Sequence, residues 1–377
     1  MSKTFLVIPW SPFHPAGVSV VVRNLVEQYK RSGVDTAVCQ DDWGYPQPTS
    51  GKDGIEYFRF GMLGGTGPVA LLKSLLVAPF RLATTAAWLR KNAVGCVNFH
   101  YVGQGALSIA CLKALGLFRG KLVLSFHGTD VQLPDSAIEA RLQHFYLKQA
   151  DTLTFCSRAL AQKAAQVFGF THKDVRVVYN GVNTAIFRPG LEADPALPKR
   201  YVVQVGSFII RKRQVFLVEA FARVAADHPD LHLVLIGMDG PELEKARDLA
   251  ARHGLAERFH TLMNLTPEQV AGIVSNAAVC VQPSVNEPFG IAVIEAGACG
   301  VPVAASRVEG HMETIHHEQS GLLFEVDNVD ACAISIRRLI DNRDSALAMA
   351  RRMKENVDEK FTWEQCAQAY ARTYAPG

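Results

Sequence analysis

Short runs of β-branched residues alternate with helix-length stretches along the whole chain, and this rhythm starts twice. Strands separated by helices pair in parallel, because each return to the sheet needs a crossover, and the crossovers cover both faces. In the first half the strands are expected at 5–8, 36–39, 97–100, 122–126, 152–156 and 175–178, with helices at 18–31, 137–149 and 158–168. The second half begins again with strands at 201–205, 231–236, 259–263, 279–282 and 301–304. Between the halves, Pro189, Gly190, Pro195 and Pro198 stand where neither a helix nor a central strand can continue. A length of 377 residues also exceeds what one hydrophobic core organises. The expectation is an α/β protein of two doubly wound, Rossmann-like domains, 1–187 and 201–360, joined by a linker at 188–200. A helix within 361–377 is a candidate to pack back on the first domain.

Composition narrows the function classes. Hydrophobic residues at 49% and charged ones at 20% describe a globular protein, and a net charge of +3 gives no footing for nucleic acid. No two of the eight cysteines stand in a C-x-x-C spacing, and several, such as Cys280 between Val279 and Val281, lie in apolar runs. They read as buried hydrophobes in a reducing compartment, so no zinc site is expected. The N-terminus shows no secretory signal: the short apolar run 5–8 ends at Pro9. The longest apolar region, 69–89, contains Lys73, Pro79 and Arg81, and a spanning helix would bury both cations in hydrocarbon. A cytoplasmic protein is expected. Residues 71–91, with Trp88, Arg81, Arg90 and Lys91, are either an ordinary buried helix pair or an element lying on an anionic membrane surface.

Open α/β sheets bind ligands beyond the carboxyl ends of their strands, so the informative residues follow the strands. After the strand at 279–282 comes Glu287-Pro288-Phe289-Gly290-Ile291-Ala292-Val293-Ile294-Glu295. Along a helix, the spacing of Glu287 and Glu295 is a little over two turns, which would return both to one side. The N–H groups where a helix begins near Gly290 suit a diphosphate. The plain structural alternative is a capping acid followed by a solvated helix acid. After the strand at 201–205, Gly206-Ser207-Phe208-Ile209-Ile210-Arg211-Lys212-Arg213 puts cations in a strand-to-helix loop. There they can neutralise a departing diphosphate, each charge-assisted hydrogen bond contributing roughly 1.5–3 kcal/mol. For Arg211 and Arg213 a solvated basic turn explains the sequence equally well. In the first half, His127-Gly128-Thr129-Asp130 ends the strand at 122–126, and His14 to Gly17 joins the first strand to the first helix. Gly17 permits close backbone approach, as a tight turn would also require.

These segments resemble the retaining glycosyltransferases of family 4, which have the GT-B fold. Pro283-Ser284, Glu287-Pro288-Phe289-Gly290, Glu295-Ala296, Gly300-Val301-Pro302-Val303 and Ser320-Gly321-Leu322-Leu323 stand in the family's order and spacing. The resemblance covers nearly the whole chain, best over 175–340. It implies two domains facing an interdomain cleft and transfer of a hexosyl unit from a nucleotide diphosphate sugar to a hydroxyl. UDP-sugar is the first choice of donor and GDP-mannose the second, with surface polysaccharide or glycolipid assembly as the setting and a saccharide or lipid-linked saccharide as acceptor. Catalytic roles fall on His127, Lys212 and Glu287. The donor is assigned Gly17, Ser207, Arg211, Met263, Asn264, Phe289, Gly290, Ile291 and Glu295, and the acceptor His14, Thr129 and Asp130. Two departures stand out: Ser207 replaces the family's usual Arg, and Ala16 replaces one glycine of the first loop. No metal or other cofactor is expected, since nothing resembles an Asp-x-Asp site. The competing functions are an epimerase or hydrolase acting on a UDP-N-acetylhexosamine, and a non-catalytic sugar-nucleotide binding module.

Overall fold

The computed structural model describes residues 3–13, 17–41, 55–57, 68–103, 105–169 and 171–374, with 55–57 and 68–75 described as backbone alone. The chain forms two compact units: Met1–Tyr179 together with Trp363–Gly377, and Asn180–Thr362.

The first unit is built on a seven-stranded sheet. Its strands are β1 (Lys3–Ile8), β2 (Thr36–Gln40), β3 (Ile55–Tyr57), β4 (Val94–His100), β5 (Lys121–Phe126), β6 (Thr152–Phe155) and β7 (Val175–Val177). They lie in the order β3-β2-β1-β4-β5-β6-β7, and every pairing is parallel. The second unit repeats the plan with β8 (Tyr201–Val205), β9 (His232–Gly237), β10 (Phe259–Met263), β11 (Val279–Gln282), β12 (Val303–Ser306) and β13 (Leu322–Phe324). Their order is β10-β9-β8-β11-β12-β13, again all parallel. In each sheet the order reverses once, between β1 and β4 and between β8 and β11. The connections on either side of such a point diverge and leave a crevice beyond the strand ends. Strands β3 and β13 extend the expected set, and β12 starts two residues later than expected, after Val301 and Pro302.

Cores follow from the same pattern. In the second unit Val202, Leu233 and Val279 from the strands pack with Leu217, Phe221 and Ile336 from the helices. In the first, Leu6 and Ile8 of β1 pack with Leu25 and Tyr29 and with Trp363, Cys366, Ala367 and Tyr370 of the C-terminal helix Trp363–Tyr374. Each such fully buried large side chain contributes roughly 1.5–3 kcal/mol, and Tyr29 Oη also donates to Ala367 O at 3.2 Å. The last helix thus belongs to the first unit.

The boundary between units differs from the proline-rich segment 188–200. It falls between Tyr179 and Asn180, because the residues that follow are pinned to the second unit. Val182 N donates to Phe361 O at 2.9 Å, Phe187 is buried, and Asn276 Nδ2 donates to Leu191 O at 3.0 Å. Proline ends a helix or strand there without ending the packing.

The helix Pro68–Lys91, which contains Pro79, buries Thr85, Ala86 and Leu89 and sets Trp88 at a tilt against Phe5, ring centroids 4.7 Å apart. Its other side leaves Leu76 and Phe80 at 77% and 72% exposure. Among the described residues no helix is long and apolar enough to cross a membrane. All eight cysteines are free thiols, and all but Cys111 are buried.

Candidate active site

In the second unit the functional residues gather at the reversal between β8 and β11. After β8 the chain passes Gly206, Ser207 and Phe208 into a 3-10 turn, Ile210–Lys212. Lys212 Nζ donates to Glu287 Oε2 at 2.5 Å, and both side chains are largely buried. The lysine stem lies over Gly206, where an added Cβ would come within 3.2 Å of Lys212 Cδ. Three bonds hold the turn: Gln204 Nε2 donates to Lys212 O at 2.7 Å, Gln214 Nε2 to Ser207 O at 2.9 Å, and Val285 N to Arg211 O at 3.0 Å. On the opposite side, Gly310 N donates to Glu287 O at 3.1 Å. A Cβ at Gly310 would stand 2.1 Å from that same oxygen, so only glycine fits.

Burial pushes the Glu287 carboxyl upward, but the charges of Lys212, His311 and Arg211 and the Lys212 hydrogen bond outweigh it and hold the pKa below its ordinary value. Glu295 behaves oppositely. Burial pushes its carboxyl up to about 8, opposed only by the charge of Lys212. His311 is buried beside Gly290, its Nδ1 donates to Ser306 O at 3.0 Å, and burial lowers its pKa against the opposing charge of Glu287.

The two glutamates do not share one helix, contrary to the expectation from their spacing. Glu287 precedes the helix, which runs Ile291–Ala298 after Gly290 at φ +97°. Only Glu295 is helical, and it is the loop that brings Glu287 to Lys212, whose charge both carboxyls feel. Phe289, expected to act through its backbone amide, has its side chain in the core. Its ring is buried against Phe361, centroids 5.6 Å apart. Gly290 and Ile291 open the helix, and the N–H groups of Ile291 and Ala292 precede its first backbone bond, from Val293 N to Gly290 O at 3.0 Å. Ser207 lies in the same loop as Lys212, with its carbonyl taken by Gln214. Arg213 turns to an ion pair with Asp327 and stacks on Phe216, whereas the charge of Arg211 reaches Glu287. Exposed Met263 ends the edge strand β10, and exposed Asn264 follows it at φ +57°.

In the first unit His127 follows β5 and rests on a polar row that crosses the sheet. His100, Ser125 and Thr154 are register neighbours on β4, β5 and β6, and Asn98 lies two residues back on the same face. All four side chains are buried. Asn98 Nδ2 donates to His100 Nε2 at 3.1 Å and to Tyr374 Oη at 2.9 Å, while Ser125 Oγ donates to Asn98 Oδ1 at 2.7 Å. An amide nitrogen only donates, so His100 Nε2 is an acceptor and its proton sits on Nδ1. That Nδ1–H points at His127 Nε2, 3.1 Å away. His127 Nε2 is therefore the acceptor, and the proton of the neutral ring sits on Nδ1. Burial lowers the His127 pKa to about 4, so the ring is neutral near pH 7. Sequence inspection missed Asn98 and His100. The available signal was two polar residues at alternate positions in an otherwise apolar strand.

Asp130, expected near the acceptor, shapes the loop. Its carboxylate accepts from the amides of His127 (2.9 Å), Gly128 (2.8 Å) and Val102 (3.3 Å). Burial nonetheless raises its pKa to about 6. Thr129 is exposed and meets Tyr101 Oη at 3.2 Å. Gly17 starts the first helix, and an added Cβ there would meet nothing within 4 Å among the described residues. His14 lies outside the described residues. Among those described, no group of three His, Cys, Asp or Glu residues is placed to hold a metal.

Comparison with known proteins places this geometry. The model of glycosyl transferases group 1 matches residues 192–360, and that of glycosyltransferase family 4 matches residues 15–186. The chain is 31% identical over 261 residues to a GDP-mannose-dependent alpha-(1-6)-phosphatidylinositol monomannoside mannosyltransferase of Mycobacterium tuberculosis, covering 66% of this chain and 67% of that one. It is 27% identical over 292 residues to an N-acetyl-alpha-D-glucosaminyl L-malate synthase of Bacillus anthracis, covering 76% and 75%. The solved structure of the Anabaena HepE protein in complex with UDP and glucose shares the fold, with a TM-score of 0.75 at 20% identity over 99% of both chains. The chain belongs to glycosyltransferase family 4 and has its two-domain GT-B fold.

Proposed function

We propose that the protein transfers a hexosyl unit from a nucleotide diphosphate sugar to a hydroxyl with retention of anomeric configuration. The observation that carries this is the Lys212–Glu287 pair at the sheet reversal of the second unit. An ammonium has three N–H donors, and Glu287 takes one. The other two, with the amides of the helix that begins at Ile291, suit the oxygens of a diphosphate. As the bond between the anomeric carbon and the diphosphate breaks, charge grows on the leaving oxygen, and fixed donors stabilise it at no reorganisation cost. The new bond forms from the acceptor oxygen, whose proton passes to the departing phosphate. Glu287 Oε1 remains to orient sugar hydroxyls, Glu295 to bind the ribose, and the His127 Nδ1–H to donate to the sugar. In this reading Lys212 and Arg211 supply the positive charge and no metal takes part.

UDP-sugar is the preferred donor, supported by the UDP complex of a protein with the same fold; GDP-mannose is second, supported by the name of the mycobacterial relative. A lipid-linked acceptor in surface glycan assembly is supported by the exposed Leu76, Val77 and Phe80 beside Arg81 on the helix Pro68–Lys91. Such an apolar face with cations suits an anionic membrane surface. Incubation with UDP- and GDP-hexoses and a panel of saccharide acceptors, read by NMR of the product, tests the reaction. An acceptor-dependent product with the donor's anomeric configuration is expected; isomerised or free sugar formed without acceptor would overturn it.

A further inference from the structure

A cavity of about 530 Å³ in the first unit opens at the reversal between β1 and β4. Pro9 and Trp10 follow β1 on one side, and Tyr101 and Val102 follow β4 on the other. The Trp10 and Tyr101 rings meet at 4.8 Å and 59°, with the indole Nε1 donating to Ser19 Oγ at 2.9 Å. Tyr101 holds φ +68°, a conformation that costs a bulky residue roughly 1–3 kcal/mol. Its ring is thereby set at the cavity wall, with Tyr101 Oη tied to Thr129 on the loop that carries His127.

The charged residues described in the lining are all acidic. Asp135 and Glu139 bring carboxylates to the wall, and Asp130 adds a third whose oxygens are committed to loop amides. Gln132 and Gln143 add neutral amides, and among the described lining residues there is no lysine, arginine or histidine. Glu139 Oε2 accepts from Asp135 N at 3.0 Å, which fixes the carboxylate and leaves Oε1 for a ligand.

We propose that this cavity binds the acceptor as an uncharged polyhydroxylated ring, packed on Trp10 and Tyr101, with hydroxyls donating to Asp135 and Glu139, and that it rejects anionic acceptors. Carboxylates accept hydroxyl hydrogens strongly, aromatic faces cover the apolar face of a sugar ring, and like charges without a cation to offset them are excluded. The assignment of this ligand as the acceptor rests on the transfer reaction proposed above. The binding chemistry does not, so the test omits the nucleotide sugar.

Saturation-transfer NMR and calorimetry on the full chain would compare methyl hexosides, methyl N-acetylhexosaminides and inositol with hexuronates, hexose phosphates and malate. Neutral rings are expected to bind at least tenfold tighter than matched anions, and Tyr101→Ala to weaken them about tenfold. The isosteric pair Asp135→Asn with Glu139→Gln, which keeps the Asp135 N contact, is expected to shrink the neutral-over-anion preference at least fivefold with an unchanged thermal midpoint. Equal or tighter binding of the anions, no binding of any neutral ring, or a preference untouched in the double variant would each overturn the proposal. Neutral binding that passes these tests without any transfer from nucleotide sugars would instead overturn the reaction and leave the cavity assignment standing.

Discussion

The two units order their first six strands alike, yet the groups that follow β8 and β11 differ in charge from those that follow β5. At the reversal of the second sheet stands a paired cation and anion, Lys212 and Glu287, with Arg211 close enough to act on the carboxylate. The ring at the end of β5 in the first unit is neutral, and a chain of neutral donors and acceptors from Tyr374 through Asn98 and His100 sets its tautomer. The same doubly wound sheet can therefore present charge or suppress it, depending on which residues end its strands. The charged end suits a leaving diphosphate, and the neutral end suits the sugar and its hydroxyl partner.

Variants at the charged end carry the largest expected effect. Lys212→Ala should lower kcat about 10²- to 10³-fold, the loss seen when a preorganised donor to developing charge is removed. Steady-state kinetics check this, and full activity would show that the pair is merely structural.

The neutral end is tested next. If His127 presents Nδ1–H, His127→Asn, whose amide nitrogen sits near the Nδ1 position, should retain about tenfold more activity than His127→Gln. Nitrogen-15 NMR of the ring reports the tautomer directly. Protonation at Nε2 would break the contrast between the two units, as would a titration of His127 between pH 6 and 8.

A smaller effect concerns Glu295, an uncharged acid within the charged site. Its pKa, near 8 when folded, lies above the ordinary carboxyl range of the unfolded chain. Between those values the folded state holds the extra proton, so its stability declines as pH rises from about 4.5 to 8 and levels off above that. Glu295→Gln should flatten this slope. Thermal midpoints across that range are the measurement, and an unchanged slope would place the carboxylate in water.

The smallest effect is expected at the helix Pro68–Lys91. Leu76→Asp with Phe80→Asp should lower co-sedimentation with anionic vesicles and leave transfer to a soluble acceptor unchanged. Binding equal to that of the unaltered protein would remove the membrane contact.

Much of this comparison was legible in the sequence. Period and composition marked eleven of the strands, since a buried parallel strand is an apolar run whatever it packs against. The motif residues Lys212, Glu287 and Glu295 stand in segments directly after strands, where the topology puts ligands. Other features depend on three dimensions. Glu287 reaches Lys212 through a loop whose course Gly290 and Gly310 decide, and helical spacing misdescribed it. Asn98, His100, Ser125 and Thr154 come from three strands, and only the register shows them to be one row. Segment 188–200 reads as a linker because prolines break secondary structure, yet the hydrogen bond from Asn276 to Leu191 anchors its start to the second unit. The cavity at Trp10 and Tyr101 had no sequence signal beyond two aromatic residues placed after strands.

The claim that the second unit holds the diphosphate is tested most directly by calorimetric titration of UDP and GDP into the unaltered protein and the Lys212→Ala variant. One nucleotide is expected to bind the unaltered protein and to lose at least tenfold in affinity when the ammonium is removed. Equal affinities for both proteins would contradict the account.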